Sequence, residues 1–495
     1  MQQETLEDLL RRVTRNFSQR ISEDEVLRLG ADLAAELARA HSESPPRHPE
    51  IEPSAIAMAS GKPRLDGGTV EGDDAEDLFH LGALLGSLAS GGAAQISWRL
   101  DGPPPPQVST VKRRAALAGL AAPRRGDRFR SAAEAKTALL EALAPSAEDS
   151  SPWPCFRGSD ARSGAGPGRT PEELEPAWEV ALGAVVASPV LAAGHLVVPT
   201  SDGRLVFVDP GSGRRLHELR LAAAVESSPA VGDGRLHVGT DDGDIVGVDA
   251  IEGRERYRTK VGRLVRSSPL VMEDRLVAGV VEARNAGQVV GLDPRTGKVR
   301  WSRRLAAVFS SPARAGDRVL IGSDDGSLHA LDAARGGILW SHALGAKVRA
   351  TPAVAGGLVL AADFEGRVVA VRVADGTRVW LHELGHTVYS SPCVAGDLCV
   401  VGCHEGHVHG LSLETGEPRF EVRTRGPVVA SPVAAGERFL VGSTDGDLYL
   451  IDRAGGVAQR TRLSGQGIQS SAALNGAGTA FVGSGTGLHA LRLRP

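Results

Sequence analysis

"VESSPAV" stands at residues 225–231, and the chain writes the same phrase seven more times. "VVASPVL" (185–191) precedes it; "VRSSPLV" (265–271), "VFSSPAR" (308–314), "VRATPAV" (348–354), "VYSSPCV" (388–394), "VVASPVA" (428–434) and "IQSSAAL" (468–474) follow. The prolines fall at 189, 229, 269, 312, 352, 392 and 432, with Ala472 in the eighth place. The period is 40, relaxed once by three residues in "VVEARNAGQ". A fixed period of about 40 that carries four short strands is the signature of a β-propeller blade.

Each unit parses strand by strand. In the second, "ESSPAV" predicts the innermost strand, "RLHVGT" the next, "DIVGVD" a third and "RERYRTKV" an outer one. A hairpin Gly recurs at 203, 243, 287, 326, 366, 406, 446 and 487, often after Asp, and supplies the positive φ of a primed turn. The third strand ends in Asp at 209, 249, 293, 332 and 452. A Gly turn then leads to an aromatic residue: Tyr257, Trp301, Trp340, Trp380 or Phe420. Small residues suit the innermost strand, where blades crowd the axis, and Pro, lacking an amide donor, suits a strand's start or an exposed edge. The eighth unit stops after its third strand, while "EPAWEVAL" (175–182) stands unpaired ahead of the first. Borrowing that segment as an outer strand closes the ring and removes its edges.

Composition bounds the rest. At 495 residues the chain is long for one domain, and 42% hydrophobic residues can bury a sizeable core. A net charge of −4 leaves no electrostatic footprint for nucleic acid. Four cysteines (155, 393, 399 and 403) do not make a disulfide framework. "MQQETLEDLLRRVTRNFSQR" has no apolar signal region, and "LFHLGALLGSLASGGAA" (78–94) reads as a buried helix rather than a span, so no membrane insertion and a cytoplasmic location are expected. Up to residue 143 the pattern is helical, with helix-start chemistry at Ser22/Glu25 and Ser131/Glu134. The expected organisation is a small α-helical domain (1–143), a Pro/Ser/Gly-rich linker and lead-in (144–176), and a mainly β, eight-bladed propeller (177–495).

"WPCFRGSDARSG" ahead of the ring and the recurring "SSPAV…VGT.DG…VD…G" units resemble the pyrroloquinoline-quinone-like (PQQ-like) repeat propellers over about 153–495. That group includes quinoprotein alcohol dehydrogenases and the propeller lipoprotein of the outer-membrane barrel assembly machinery. The dehydrogenase resemblance implies vicinal cysteines, acidic and Asn calcium ligands and a catalytic Asp. No two cysteines adjoin here, and the recurring acids are turn and strand-end residues. No quinone and no other cofactor are expected.

The region 5–143 resembles the C-lobe of a bacterial serine/threonine protein kinase, carried by "TLEDLLRR…ISEDEVLRLGADLAAELARAH", "HPEIEPSAI" (48–56), "EDLFHLGALLGSLASG" (76–91) and "DRF" at 127–129. The resemblance puts the catalytic-loop His at His48, the base position at Glu50, the loop Lys at Glu52, the metal-binding Asn at Ala55 and the second metal Asp at Asp66. Phosphoryl transfer needs a base, Mg²⁺ ligands and a phosphate-holding Lys. With base, Lys and Asn all replaced, the implied lobe is a truncated pseudokinase without catalytic residues.

Two side-chain sets remain. "CVVGCHEGHVHG" (399–410) places Cys399, Cys403, His407 and His409 on one hairpin, a candidate Zn²⁺ set. Other blades carry residues at three of those positions (Val319, Ser323 and His329, for example), so the expectation is structural filling and no metal. The other set is the residue that changes inside the repeated phrase: Val186, Glu226, Arg266, Phe309, Arg349, Tyr389, Val429 and Gln469. A position that varies while its flanks are fixed is free of the fold's demands. The eight are expected to ring the mouth of the axial channel, and Arg, Tyr and Phe are typical interface anchors. The function expected is therefore a non-enzymatic protein-interaction scaffold, with the pseudokinase-like lobe as a second docking module. The alternatives are a quinone-dependent dehydrogenase and an ATP-sensing pseudokinase regulator.

Overall fold

The computed structural model describes residues 153–166, 170–232, 234–250 and 253–495, together with the backbone of Ile56–Ala59 and Lys62–Leu65. The chain divides into two compact units, Met1–Ser150 and Ser151–Pro495. In the first unit the described backbone is an antiparallel strand pair, Ile56–Ala59 with Lys62–Leu65, inside the region that periodicity read as helical. Four-residue runs flanking the turn-type dipeptide Ser-Gly are too short for a helix and suit a hairpin. The kinase-like helices expected over 1–143 lie outside the described residues.

The second unit is a ring of eight antiparallel sheets of four strands each, numbered here blades 1 to 8, with one further parallel strand added to blade 7; their innermost strands begin at residues 190, 230, 270, 313, 353, 393, 433 and 473. In blade 2 the order from axis to rim is Ala230–Gly232, Arg235–Gly239, Asp244–Asp249 and Glu255–Lys260. Its third strand, "DIVGVD", is buried almost throughout, whereas the outer strand alternates between solvent and neighbour. The middle strands are thus covered on both faces by adjoining blades, which is why they read as apolar runs. The core lies between blades rather than within them: Val190, Val197 and Phe207 of blade 1 pack with Val238, Val246 and Val248 of blade 2.

Closure follows the sequence expectation. Glu173–Ala181 pairs antiparallel with Gly487–Arg494 and forms the outer strand of blade 8, Trp178 opposite Ala490. The outer strand's large side chain then docks each blade on the next. Trp178, Trp301, Trp340 and Trp380 donate their indole N–H to the carbonyls of Pro210, Ala333, Val373 and Leu413 on the following blade at 2.9–3.3 Å. Their rings lie on that blade's turn glycine, so a Cβ on Gly376 (φ +73°) would stand 2.6 Å from Trp340. His217, Tyr257 and Phe420 occupy the same place against Gly253, Gly297 and Gly455.

The repeated Ser-Pro phrase is explained at the axis. Each blade's second small residue donates its backbone N–H to the side-chain hydroxyl of its counterpart on the next blade. Ser188, Ser228, Ser268, Ser311, Thr351, Ser391, Ser431 and Ser471 form a head-to-tail circle of eight bonds, 2.8–3.3 Å, with Ser471 closing on Ser188. Only a residue with a short hydroxyl fits this role, because the group must accept a bond within one inter-strand spacing. The regular strand starts just after the Ser-Pro pair, at Ala230 in blade 2, so the phrase leads into the innermost strand rather than lying within it.

Residues 153–166, read from composition as part of a linker and lead-in, belong to the ring itself. This segment runs round the axis at the trailing ends of the innermost strands. Leu191, Val231, Arg314, Val354, Val394 and Ala434 donate their amides to the carbonyls of Trp153, Pro154, Asp160, Ala161, Ser163 and Gly164 at 2.7–3.0 Å. It ends in Ala165–Gly166, parallel to Val433–Ala435. Inner strands present unpaired backbone groups to the axis, and the segment satisfies them in six of the eight blades.

Two arginines fix it. Arg157 and Arg162 are fully buried and both hold a positive φ, 64° and 55°. Arg157 donates to the carbonyls of Arg162, Ser163, Ser391, Pro392 and Pro432; Arg162 donates to those of Phe156, Ser268, Pro269 and Pro312. Their contacts span blades 3 and 4 on one side of the axis and blades 6 and 7 on another. Burial lowers the Arg157 guanidinium to about 10, and its hydrogen-bond partners are neutral carbonyls.

Candidate functional site

Each of the eight varying residues stands four positions before the first residue of its blade's innermost strand. The residue before each of them (Val185, Val225, Val265, Val308, Val348, Val388, Val428 and Ile468) is buried, at most 1% exposed. Val186, Glu226, Phe309, Arg349 and Val429 are half-buried, and Arg266, Tyr389 and Gln469 are exposed.

The ring is not uniform. On blades 2 and 3, Arg266 pairs with Glu226 at 2.8 Å and holds Asp241 through two bonds of 3.0 and 2.7 Å. Burial raises the Glu226 carboxyl, against the pull of Arg266. The same construction recurs with Arg349, which grips Asp324 at 2.9 and 2.7 Å. Arg349 also lies 4.0 Å above the Phe309 ring and 5.1 Å from that of Phe364. Phe364 packs on Tyr389 (centroids 4.6 Å apart), and Tyr389 on His404 (5.5 Å). A continuous cation–aromatic cluster therefore links Phe309, Arg349, Phe364, Tyr389 and His404. Val186, Val429 and Gln469 belong to blades 1, 7 and 8 and stand outside it.

Asp241, Asp324, Phe364 and His404 are the residues that sequence reasoning missed. All four occupy one repeat position, two before the hairpin Gly, where other blades carry Ser201 or Thr444. Its variation beside an invariant Gly is the same kind of signal as the varying residue in the Ser-Pro phrase.

The remaining candidates are placed as follows. His48, Glu50, Ala55 and Asp66 lie outside the described residues. Cys399 is buried in the core between blades 5 and 6 among Trp380 and Val401, where burial pushes its thiol up to about 12. Cys403 is also buried, and its sulfur accepts the His407 amide at 3.4 Å. His407 and His409 of the candidate Cys/His set gather with Glu421. All four cysteines are buried and unpaired. No two cysteines adjoin, and Asp241 and Asp324 are each bound by an arginine, Arg266 and Arg349.

The family model described as outer membrane protein assembly factor BamB matches residues 206–307, 285–416 and 365–494, more than half of the chain. The chain belongs to this BamB-like family. Among solved structures, BamB from Moraxella catarrhalis is 19% identical with a TM-score of 0.57, over 64% of this chain and 99% of that one. The quinohemoprotein alcohol dehydrogenase ADHIIG from Pseudomonas putida HK5 is 13% identical with a TM-score of 0.61, over 71% and 82%. A europium-containing methanol dehydrogenase is 13% identical with a TM-score of 0.57, over 67% and 89%. At these identities the likeness is one of fold. No curated protein matches. Among the described residues no helix is long and apolar enough to cross a membrane.

Proposed function

We propose that this BamB-like propeller is a non-enzymatic scaffold that presents the mouth of its ring to a protein partner. The observation that carries this reading is the cation–aromatic cluster of Phe309, Arg349, Phe364, Tyr389 and His404. The fold does not need it, since the equivalent positions elsewhere are Val186, Val429, Gln469, Ser201 and Thr444. Tyr389 is 43% exposed, and aromatic and Arg side chains grouped on an accessible surface are the usual anchors of protein interfaces. BamB's own description as an assembly factor is in keeping with binding rather than catalysis. On this reading the scaffold works in the cytoplasm, and the kinase-like region 1–143 serves as a second docking module.

The test captures partners with the full chain beside a Phe309→Ala/Tyr389→Ala variant, which spares the Arg349–Asp324 pair. A protein bound by the first, cross-linked at the mouth and weakened at least tenfold by the second supports the reading, since interface anchors of this kind are each worth about 1–2 kcal/mol or more. Equal binding by both variants, or dye reduction dependent on added quinone and calcium, overturns it.

A further inference from the structure

Blade 6 carries one polar group that the other blades would lead us to expect satisfied. Its third strand, His407–Ser412, turns His407 and His409 to the same face, toward blade 5, and the outer strand Pro418–Arg423 sets Glu421 directly opposite His409. His409 stands where blades 4, 7 and 8 carry His329, Tyr449 and His489. In each of those the far end of the ring is bonded to its own hairpin. His329 Nε2 meets Asp325 at 3.0 Å, the Tyr449 hydroxyl donates to Asp445 at 2.7 Å, and His489 Nε2 meets Ser484 at 2.9 Å. In blade 6 the hairpin residue corresponding to Asp325 and Asp445 is Glu405, which faces His386 at 3.8 Å instead. His409 is 8% exposed, and its Nε2 is buried without a partner.

An unpartnered buried imidazole nitrogen costs about 1–3 kcal/mol, so its surroundings matter. Three imidazoles crowd together there: His386 and His407 centroids are 5.3 Å apart, His407 and His409 5.9 Å, His386 and His409 6.5 Å. One donor atom from each of His407, His409 and Glu421 lies within 4.8 Å of the others. We propose that His407, His409 and Glu421 form a site for a divalent transition-metal ion of zinc-like preference, with His386 the nearest further imidazole.

The donor chemistry fits that class. Two imidazoles and one carboxylate suit Zn²⁺, whereas Ca²⁺ and Mg²⁺ take oxygen donors. Bonds of 2.0–2.1 Å at tetrahedral angles put donors about 3.4 Å apart, so a separation of 4.8 Å must close by about 1.4 Å. Glu421 can supply that movement, because its side chain is 56% exposed. Before metal arrives it holds His407 Nδ1 at 2.5 Å, and one carboxylate oxygen then turns inward. His386 belongs to the connection between blades 5 and 6, so its recruitment would tie two neighbouring blades through the ion.

The test treats the full chain with a chelator and titrates it with Zn²⁺ by calorimetry, and with Co²⁺ to read coordination from its visible spectrum. The expected result is one ion per chain, a four-coordinate Co²⁺ spectrum and a higher melting temperature with Zn²⁺. His409→Tyr, the residue blade 7 uses at this position, and Glu421→Gln each weaken Zn²⁺ at least tenfold and remove the Zn²⁺-dependent rise in melting temperature. His329→Tyr in blade 4 leaves binding intact. Absence of Zn²⁺ binding at micromolar concentration, or equal affinity in Glu421→Gln and the parent, overturns the proposal.

Discussion

Arg157 shows how much one residue can hold in a repeat ring. Its five N–H groups reach the lead-in segment and the inner strands of blades 6 and 7, so Arg157→Ala strands several buried carbonyls at once. A loss of about 3 kcal/mol or more follows from the cost of unmade buried bonds, read as a lower urea midpoint of the full chain. Arg157→Lys recovers little, because an ammonium cannot spread its donors across both blades. His409 makes a prediction of opposite character. Its folded value of about 4 lies below the ordinary 6.5, held there by burial against Glu421, with His407, His386 and His382 adding repulsion. Between pH 4 and 6.5 the unfolded chain therefore binds a proton that the folded one refuses, so metal-free stability falls as pH drops through that window. The ceiling is about 3 kcal/mol, and urea midpoints at pH 7 and pH 4.5 should differ less in His409→Tyr than in the parent.

At the scale of the blade, the aromatic–glycine joint is the testable unit. Gly376→Ala forces a Cβ to 2.6 Å from Trp340 at φ +73°, whereas Gly316→Ala meets nothing within 4 Å at φ +60°. The second substitution should cost about 1 kcal/mol from backbone strain alone. The first should cost at least twice that, because the joint between blades 4 and 5 must open. Differential scanning calorimetry of both variants separates strain from packing. In the circle at the axis, Ser391→Ala leaves the buried Thr351 amide without an acceptor and should cost about 1–3 kcal/mol. Strand order, hairpin glycines and the docking aromatics are all legible in the sequence, because each recurs eight or nearly eight times and every copy reports the same constraint. Glu226, Arg266, Phe309, Arg349 and Tyr389 stand out for the converse reason, as variation against a fixed background. Their partners Asp241, Asp324, Phe364 and His404 hide behind the stronger turn signal of the glycine that follows two residues later.

At the scale of the whole ring, closure by Glu173–Ala181 leads to a truncation pair. The chain beginning at residue 153 keeps the borrowed strand and the arginine segment, and should run as a monomer on a sizing column with light scattering. The chain beginning at residue 183 leaves the third strand of blade 8 as a bare edge and should aggregate. The borrowed strand is visible in the sequence, since a unit lacking its fourth strand demands one. The arginine segment is not. "WPCFRGSDARSG" occurs once, so no repetition marks it as structural, and its Pro, Ser and Gly content is that of a connector. Its bonds run from side chains to carbonyls hundreds of residues away, a relation that no local pattern encodes.

The circle of eight hydroxyls treats every blade alike and gives the ring no first or last member. The segment 153–166 removes that equivalence, for it meets blades 1, 2, 4, 5, 6 and 7 in chain order and skips 3 and 8 in its amide contacts. It acts as an index mark on an otherwise indifferent wheel. A circular permutant opened between blades 4 and 5 should therefore still close its hydroxyl circle, but it would keep its orientation only if that segment stayed covalently next to blade 1.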